Sequence, residues 1–326
     1  MKAIVCTKYG PPDVLQLKDV EKPTPKDHEV LIKVHAATVT AGDCELRSLK
    51  FPLLLQPLVR IGFGFRGPRK KILGQELAGE IEAVGKDVTR FRKGDQVVGW
   101  SGLGLGAYAE YICLPENGVL AIKPSTLTYE EAVALPVGGL DAVYMLRRGH
   151  IQSGEKVLIL GAGGSIGTFA VQLARYFGAD VTAVDSTGKL DMLRSIGADQ
   201  VIDYTQEDFT TSGETYDVIF DVVGKSSFSR SVRLLTLKGR YLLANPKLSQ
   251  RVRGRWMSRR SSKQVIAWKA RAASEYTEDF RFLKELIEAG QIQSVIDRCY
   301  PLEQTAQAHR YVDAGHKKGN VVITVE

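Results

Sequence analysis

The chain has 326 residues, of which 44% are hydrophobic and 25% charged, and it carries a formal net charge of +7. This length accommodates two domains, and the composition is that of an ordinary globular protein. No run approaches the roughly 18 uninterrupted apolar residues of a membrane span, and the first residues read as a strand instead of an apolar signal core, so we expect a cytoplasmic location.

The four cysteines, Cys6, Cys44, Cys113 and Cys299, lie far apart along the chain. Their spacing matches neither a metal site nor a redox motif, which is typical of reduced thiols in a reducing compartment. We expect them to fill the core. The net positive charge favours anionic ligands.

The first part of the chain, up to about Lys123, is predicted to be a mostly antiparallel β domain. Short apolar runs alternate there with Gly, Pro or Asp turns. The predicted strands are Lys2 to Thr7, Glu29 to Ala36, Glu80 to Val84, Gln96 to Trp100 and Ala107 to Leu114. Two segments interrupt this pattern and therefore look functional, namely Thr38 to Arg47 and Phe51 to Lys71.

The insertion from Phe51 to Lys71 combines an apolar start with a basic end and contains three prolines. One interpretation is a mobile lip over an apolar pocket. Another is a patch that rests on an anionic membrane surface. A third is a plain surface loop folded on its own leucines, and the sequence leaves all three open.

After Lys123 helical and strand patterns alternate, which predicts a doubly wound parallel sheet. A capping box at Thr128 and Glu131 opens the first helix, and the segment from Lys156 to Asp185 reads as a βαβ unit. The further predicted elements are helices at Leu140 to Arg147, up to Leu193 and at Phe228 to Leu235, and strands at Gln200 to Tyr204, Asp217 to Val223 and Arg240 to Asn245.

The turn of the βαβ unit predicts a dinucleotide site. Gly161 ends the strand, Gly164 stands where a backbone approaches a pyrophosphate, and Gly167 stands where the helix must pack closely on the strand. Ser165 and Ile166 open the helix, so we expect these two residues and Gly167 to face the phosphates. The strand before, the helix after and an acid about 20 residues on make this context specific.

Residues after the second strand of this unit give conflicting signals on the cofactor. A carboxylate at Asp185 would accept hydrogen bonds from the ribose of NAD and repel a 2′-phosphate. Ser186, Thr187 and Lys189 could instead hold the phosphate of NADP, with Tyr204 stacked nearby.

The stretch from Lys247 to Ser274 contains nine Lys or Arg residues and no acid, with Trp256 and Trp268 among them. Such a run can bind nucleic acid or anionic lipid, or it can be a solvated loop and helix at a domain junction. A second hypothesis for the whole protein is therefore a nucleotide-binding protein that acts through this basic surface on RNA or membrane.

The chain is predicted to return to its first domain near the end. An amphipathic helix from Glu275 stops at Gly290, and a helix from Leu302 to Val312 and a strand from Asn320 to Val325 follow. We assign residues 1–122 and 276–326 to a catalytic domain and residues 123–275 to a dinucleotide-binding domain, with small ligands expected in a cleft between them.

With these residues in hand, the whole chain resembles the medium-chain dehydrogenase/reductase superfamily, in its zinc-free quinone (enone) oxidoreductase branch. The resemblance rests on GDQVVG at 94–99, GAYAEY at 106–111, YEEAVALPVGGL at 129–140, GAGGSIGTFAVQLA at 161–174 and GADQVIDY at 197–204. It implies a Rossmann domain joined to a GroES-like, mostly antiparallel β domain, and a homodimer.

The resemblance also implies that no zinc is held. Where the zinc alcohol dehydrogenases of this superfamily have a Cys and a His, this sequence has Thr40 and Gln75, and neither a hydroxyl nor a carboxamide is a normal zinc ligand. An alcohol dehydrogenase-type activity remains an alternative. The expected chemistry is hydride transfer from NAD(P)H to a quinone or to the activated double bond of an enone or 2-alkenal.

By the same resemblance, Thr40, Asp43 and Tyr108 are the candidate catalytic residues, although Asp43 could equally pair with Arg47 and Tyr108 could instead pack in the core. Asp141 departs from the Thr that the family usually has near the nicotinamide.

Lower-grade cofactor contacts are expected from Val223, Asn245 and Asn320. NADP(H) is slightly favoured over NAD(H) because Lys189, Ser186 and the resemblance agree. The expected partner is a small hydrophobic carbonyl compound or quinone; nucleic acid is not expected, and peripheral membrane contact stays open.

Overall fold

The computed structural model describes residues 1–51, 56–271 and 273–326. It divides the chain into two compact units: a first unit of Met1–Pro136 with Ile296–Glu326, and a second unit of Val137–Val295. None of the helices in the described ranges combines the length and apolar character that spanning a bilayer requires.

Strands and helices follow one another along both units. The strands are β1 Lys2–Cys6, β2 Leu15–Asp19, β3 Glu29–Thr38, β4 Glu76–Val84, β5 Gln96–Trp100, β6 Tyr111–Pro115, β7 Val119–Ile122, β8 Lys156–Leu160, β9 Asp180–Asp185, β10 Gln200–Asp203, β11 Tyr216–Asp221, β12 Leu235–Leu243, β13 Gln264–Ala267, β14 Ile296–Pro301 and β15 Asn320–Thr324. The helices are α1 Ala41–Ser48, α2 Gln56–Phe63, α3 Tyr129–Ala132, α4 Leu140–Arg148, α5 Ser165–Tyr176, α6 Leu190–Ser195, α7 Phe228–Arg233, α8 Leu248–Arg260, α9 Ala273–Glu288 and α10 Thr305–Asp313.

The first unit is built around the long strand β3. This strand pairs antiparallel with β4, β6 and β15, and the sheet runs β14-β15-β3-β4-β5-β7 with β6 on β3. Only β14 and β15 pair in parallel in this sheet, while β1 and β2 form a separate antiparallel ladder. The prediction of a mostly antiparallel β domain is confirmed, because turns and not crossover helices join most of these strands.

The second unit is a six-stranded parallel sheet in the order β10-β9-β8-β11-β12-β13. Val157 to Leu160 in β8 are fully or almost fully buried, as expected for a central parallel strand. Strand order reverses between β8 and β11. In such sheets ligands bind outside the carboxyl ends of the strands at this switch point, so the predicted doubly wound fold also places the site.

The observed division of the chain differs from the expected boundaries at residues 122 and 275. Helix α9 belongs to the second unit, where a Cβ on Gly139 would lie only 2.4 Å from the side chain of Leu283 and Asp279 accepts from Arg147 at 2.6 Å. Conversely, Tyr129 of α3 stacks on His35 of β3 with ring centroids 4.5 Å apart, so it belongs to the first unit. An amphipathic pattern predicts a helix, but it does not show which hydrophobic core the helix packs against.

The basic stretch from Lys247 to Ser274, for which one interpretation of the sequence was a solvated loop and helix at a domain junction, continues the alternation of helix and strand in the second unit. It forms α8 and β13, the last crossover helix and the edge strand of the parallel sheet. The sequence does not indicate these two elements clearly, because α8 buries only Gln250 and Gly254 and β13 is only four residues long. A Cβ on Gly254 would lie 2.5 Å from Val265, so a glycine lets this helix approach the strand.

In the insertion Phe51 to Lys71 the structure describes Phe51 and residues 56–71, and residues 52–55 lie outside the described part. Helix α2 begins at Gln56 and buries none of its side chains, while Leu58 is 72% exposed.

Candidate active site

Three glycines in the turn between β8 and α5 have different structural reasons. Gly161 has a φ of +79°, and a Cβ there would lie 2.1 Å from the side chain of Val223. A Cβ on Gly167 would lie 2.4 Å from the carbonyl oxygen of Gly161, so the helix packs on the turn without room for a side chain. Gly164 has a φ of −92°, and a Cβ there would meet nothing closer than 3.7 Å. Protein packing does not explain Gly164, but a pyrophosphate approaching the backbone would.

Helix α5 begins directly at this turn with Ser165 and Ile166. The N–H groups in the first turn of a helix have no acceptor within the helix, and the helix dipole favours an anion beside them. Gly164 at the N-cap contributes no capping side chain, and no acid stands in the first turn. These residues therefore fit the diphosphate of a nicotinamide dinucleotide.

The carboxylate of Asp185, at the end of β9, is buried and faces the same turn. One oxygen accepts from the Gly163 N–H at 2.8 Å, and the other accepts from the Ser186 N–H at 2.8 Å. The ammonium of Lys189 lies 2.9 Å from that second oxygen, and both side chains are nearly enclosed. The two residues that gave conflicting signals on the cofactor thus form one ion pair, in which the negative charge is neutralised.

Tyr204 follows β10 beside this ion pair. Its N–H donates to the Asp185 carbonyl at 3.2 Å, while 58% of the residue is exposed. Thr187 donates its hydroxyl to Asp203, the last residue of β10. An open aromatic ring and a cation therefore stand together where an adenosine end would lie in this fold.

On the other side of the switch point, Val223 and Asn245 follow β11 and β12. Val223 is 44% exposed beside Gly161, and the Asn245 side chain donates to the Val222 carbonyl at 2.8 Å. Sequence reasoning missed Asp221, which is fully buried and accepts from the Gly224 N–H at 2.7 Å and from the Tyr241 hydroxyl at 2.8 Å. The sequence signal that could have identified Asp221 is an acidic residue at the end of an apolar strand.

The predicted cofactor residues of the second unit are thus brought together at one sheet edge. They are Gly161, Gly164, Ser165, Ile166, Gly167, Asp185, Ser186, Lys189, Tyr204, Val223 and Asn245. The remaining candidate, Asn320, opens β15 in the first unit and is almost fully buried, so its contact with a cofactor stays a prediction.

In the first unit, Thr40 and Asp43 form a capping box at the start of α1. The Thr40 hydroxyl accepts from the Asp43 N–H at 3.1 Å, and the Asp43 carboxylate accepts from the Thr40 N–H at 3.0 Å. The Thr40 hydroxyl also lies 2.6 Å from the same carboxylate oxygen, and the Gln75 amide lies 3.4 Å from the other. Asp43 is fully buried, and this burial raises the pKa of its carboxyl, although hydrogen bonds from Thr40 and Gln75 oppose the shift.

Tyr108 supports this cluster from within the core. It is fully buried, its hydroxyl donates to the Thr38 carbonyl at 3.1 Å and interacts with Asp43, and burial holds its pKa well above the usual value. A Cβ on Gly74 would lie 2.6 Å from the Tyr108 ring, so a glycine at φ +88° gives the ring its place. The structure thus gives Tyr108 a packing and positioning role, and a direct role as donor to substrate is not supported by its burial.

Arg47 does not pair with Asp43, which corrects one alternative drawn from the sequence. Its guanidinium lies 2.6 Å from Asp313 of α10. Cys44 instead turns toward His309, with 3.3 Å between the sulfur and Nδ1. Burial lowers the pKa of His309 to about 3, so this imidazole is neutral at physiological pH.

Asp141 stands where the resemblance leads one to expect Thr, and it connects segments of the second unit. Its carboxylate accepts from the indole of Trp268 at 3.0 Å and lies 3.3 Å from Arg271. The guanidinium of Arg271 is fully enclosed and also lies 2.7 Å from Asp279. Two residues of the basic stretch are therefore structural.

The described residues contain no group of three or more His, Cys, Asp or Glu side chains arranged to hold a metal ion. Gln75 and Thr40, which stand in place of zinc ligands, are engaged with Asp43. The four cysteines are unpaired thiols, and Cys6 and Cys44 are buried.

Two family descriptions match the chain: "Alcohol dehydrogenase GroES-like domain" over residues 26–124 and "Zinc-binding dehydrogenase" over residues 196–323. A 2-methylene-furan-3-one reductase of Solanum lycopersicum is 32% identical over 338 residues, covering 99% of this chain and 79% of that protein. A quinone oxidoreductase of Sus scrofa is 32% identical over 330 residues, and the match covers 98% of this chain and 95% of that protein. The solved structure of the quinone oxidoreductase from Coxiella burnetii matches with a TM-score of 0.87 at 28% identity, covering 100% of this chain and 99% of that one.

Proposed function

Because the chain belongs to the quinone oxidoreductase branch of the medium-chain dehydrogenase/reductase superfamily, we propose that it uses NAD(P)H to reduce quinones or the activated double bonds of enones and 2-alkenals by hydride transfer. The observation that carries this proposal is Gly164, whose place in the turn is explained by a pyrophosphate and not by protein packing. The names of the related reductases agree with this substrate class.

For the cofactor we propose NADPH over NADH. A free carboxylate at Asp185 would repel a 2′-phosphate, but Lys189 neutralises it at 2.9 Å. The Gly163 N–H also draws the carboxylate onto the glycine turn. Lys189 and the hydroxyl of Ser186 are then the groups that would receive the phosphate, with Tyr204 beside the adenine.

The nicotinamide, when bound, would supply the hydride to the β-carbon, and residues of the chain would stabilise the charge that develops on the substrate oxygen. Water would then protonate the α-carbon of the enolate. Thr40 is the proposed donor. Its single hydroxyl proton is directed at Asp43 in the free protein. Since burial raises the pKa of Asp43, its protonated form becomes more accessible, and this form can donate to Thr40 while Thr40 donates to the substrate oxygen.

We further propose that the reaction needs no zinc. Thiolate, imidazole and carboxylate are the ligands that zinc takes in proteins, whereas Thr40 and Gln75 offer a hydroxyl and a carboxamide. Without a Lewis acid on the oxygen, conjugate reduction of an enone or quinone is easier than oxidation of a simple alcohol, because hydrogen-bond donors suffice for an enolate.

Location and assembly are also proposals. The unpaired state of Cys6, Cys44, Cys113 and Cys299 supports a reducing, cytoplasmic compartment. The family resemblance supports a homodimer. Cell fractionation and light scattering of the purified protein test these two points.

The function is tested by following the oxidation of NADPH and of NADH, side by side, with a panel of quinones, enones and 2-alkenals, and the reduction of NADP+ and of NAD+ with simple alcohols. We expect turnover with the activated double bonds or quinones, a preference for NADPH, and no loss of rate after treatment with a chelator. A chelator-sensitive activity confined to simple alcohols, together with stoichiometric zinc in elemental analysis, would replace the proposal with an alcohol dehydrogenase. A failure to bind either nucleotide would overturn it altogether.

A further inference from the structure

The outer face of α8 carries an apolar stripe that the enzyme function does not use. Leu248, Val252 and Trp256 lie four residues apart, so they follow one another along one side of the helix. They are 75%, 63% and 58% exposed. The opposite side, with Gln250 and Gly254, packs on the parallel sheet.

Arginines border this stripe on both sides. The helix contains five of them and no acid, and all five are exposed: Arg251, Arg253, Arg255, Arg259 and Arg260. The guanidinium of Arg260 lies over the Trp256 ring, 4.5 Å from its centroid. We call Leu248, Val252 and Trp256 with these arginines the α8 patch.

The first unit presents a second surface of the same chemistry. Leu58, Ile61 and Phe65, in and just after α2, are 72%, 57% and 62% exposed. The exposed basic residues that follow are Arg66, Arg69, Lys70 and Lys71, and no acid occurs between Lys50 and Gln75. We call this the α2 patch.

We propose that the α8 patch is a docking surface for an anionic lipid membrane, on which the protein rests without crossing it. Exposed Trp and aliphatic side chains can enter the headgroup region of a membrane, and exposed arginines beside them can bind lipid phosphates. The α2 patch of the first unit has the same combination of exposed apolar and basic side chains.

Two other occupants fit the α8 patch less well. Nucleic acid would use arginines and stacking aromatics, but two of the three stripe residues, Leu248 and Val252, are aliphatic and have no ring to stack on a base. A second copy of the chain, paired through this helix about a twofold axis, would bring five arginines against the same five. An anionic lipid surface satisfies the apolar and the basic residues together.

The test is flotation of the full-length protein with vesicles of phosphatidylcholine, alone or with about 30% phosphatidylglycerol, at about 50 mM and about 500 mM NaCl. We expect binding to the anionic vesicles only, weakened by salt. Replacing Arg253, Arg255 and Arg259 by Gln should lower the partition coefficient by roughly 100-fold, since each cation near the surface contributes about a factor of five.

A second variant removes the stripe and keeps the charge, with Leu248, Val252 and Trp256 replaced by Ser, and it should lose at least about tenfold in binding. The matched controls are Leu103→Ser, which also removes an exposed leucine, and the combined exchange of the exposed Lys18, Lys86 and Lys93 for Gln. Both controls should bind as the unchanged protein does. Thermal midpoints and enone turnover, measured on every variant, separate misfolding from loss of the surface.

The fluorescence of Trp256 can show whether this side chain enters the membrane. Brominated lipids should quench the tryptophan fluorescence of the bound protein. Trp256→Phe should abolish most of that quenching while most of the binding remains, because Trp100 lies in β5 of the first unit and the indole of Trp268 donates to Asp141. The proposal is overturned if no vesicle binds, or if binding is unchanged in both α8 variants. It is equally overturned if the protein binds single-stranded RNA and not vesicles, or if the serine variant converts a dimer to monomers.

Discussion

The glycine turn of the second unit and the polar cluster of the first unit place their functional groups in different ways. In the turn, backbone geometry decides: Gly161 needs its positive φ, Gly167 needs its close packing, and Gly164 leaves open space. In the cluster, side chains from separate segments decide, with Thr40, Asp43 and Tyr108 held by mutual hydrogen bonds within the core. A local pattern therefore identifies the first kind of site and only suggests the second.

Buried titratable groups should make the stability of the first unit depend on pH. Among them, His309 should contribute the largest effect. Its neighbours are Cys44, Arg47, Asp313 and the ring of Tyr108. Because its pKa falls to about 3 on folding, the unfolded chain binds a proton between about pH 6.5 and 3 that the folded chain does not. Stability should therefore fall as the pH drops through this window, by up to about 5 kcal/mol.

Unfolding in urea at a series of pH values measures this effect. His309→Gln should flatten the slope between pH 6.5 and about 3, while exchange of the exposed His316 by Gln should leave it unchanged. An unaltered slope in the His309 variant would mean that other buried groups set the acid sensitivity.

Gly164 and Gly167, the second and third of these glycines, sharpen the contrast inside the turn itself. Gly167→Ala should destabilise the protein by about 3 kcal/mol or more, because its Cβ would collide with the carbonyl oxygen of Gly161. Gly164→Ala should leave the thermal midpoint almost unchanged, because its Cβ meets nothing closer than 3.7 Å, yet weaken NADPH binding at least about tenfold. Calorimetry of unfolding and of binding separates these outcomes, and equal losses of stability would contradict the distinction.

Thr40 tests the polar cluster. Thr40→Ala should lower kcat/KM for an enone by roughly 100-fold, since one donor to a developing oxyanion is lost. It should also cost about 1 kcal/mol of stability, because the same hydroxyl caps α1. Thr40→Ser keeps the hydroxyl and should restore most of the rate, so steady-state kinetics in which Ser and Ala behave alike would remove Thr40 from the reaction.

The smallest expected effect concerns the choice of cofactor. Lys189→Ala should lower kcat/KM with NADPH by about tenfold and leave NADH nearly unaffected, because it removes the cation and frees the Asp185 carboxylate. Arg194→Ala, a change of an exposed cation on the same α6 segment, is the matched control. An equal loss with both nucleotides would assign Lys189 to the turn and not to the phosphate.

Much of this arrangement could be predicted from the residues because it is local. The βαβ unit, its glycines and the acid after β9 form one continuous segment, and the antiparallel strands of the first unit are bounded by their own turns. The pairing of Asp185 with Lys189 could not be predicted, since the residue pattern assigns them opposing roles toward the cofactor.

The wrong predictions share one physical cause. An amphipathic or charged pattern in the sequence does not show which core a helix packs against or which residue a charge pairs with. Helix α9 was placed with the wrong core, Arg47 pairs with Asp313 and not with Asp43, and the basic stretch contains a strand of the sheet. Arg271 shows why: a cation that looks solvated in sequence is enclosed between Asp141 and Asp279.

The most direct test of the central claim follows the transferred hydride. The enzyme is supplied with NADPH deuterated at C4, prepared in each of its two stereoisomers, and an enone, and the product is analysed by mass spectrometry and NMR. We expect one isomer to deliver a single deuterium to the β-carbon, giving a saturated ketone. Deuterium at the carbonyl carbon, with an allylic alcohol as product, or a product without deuterium from both isomers, would contradict the account.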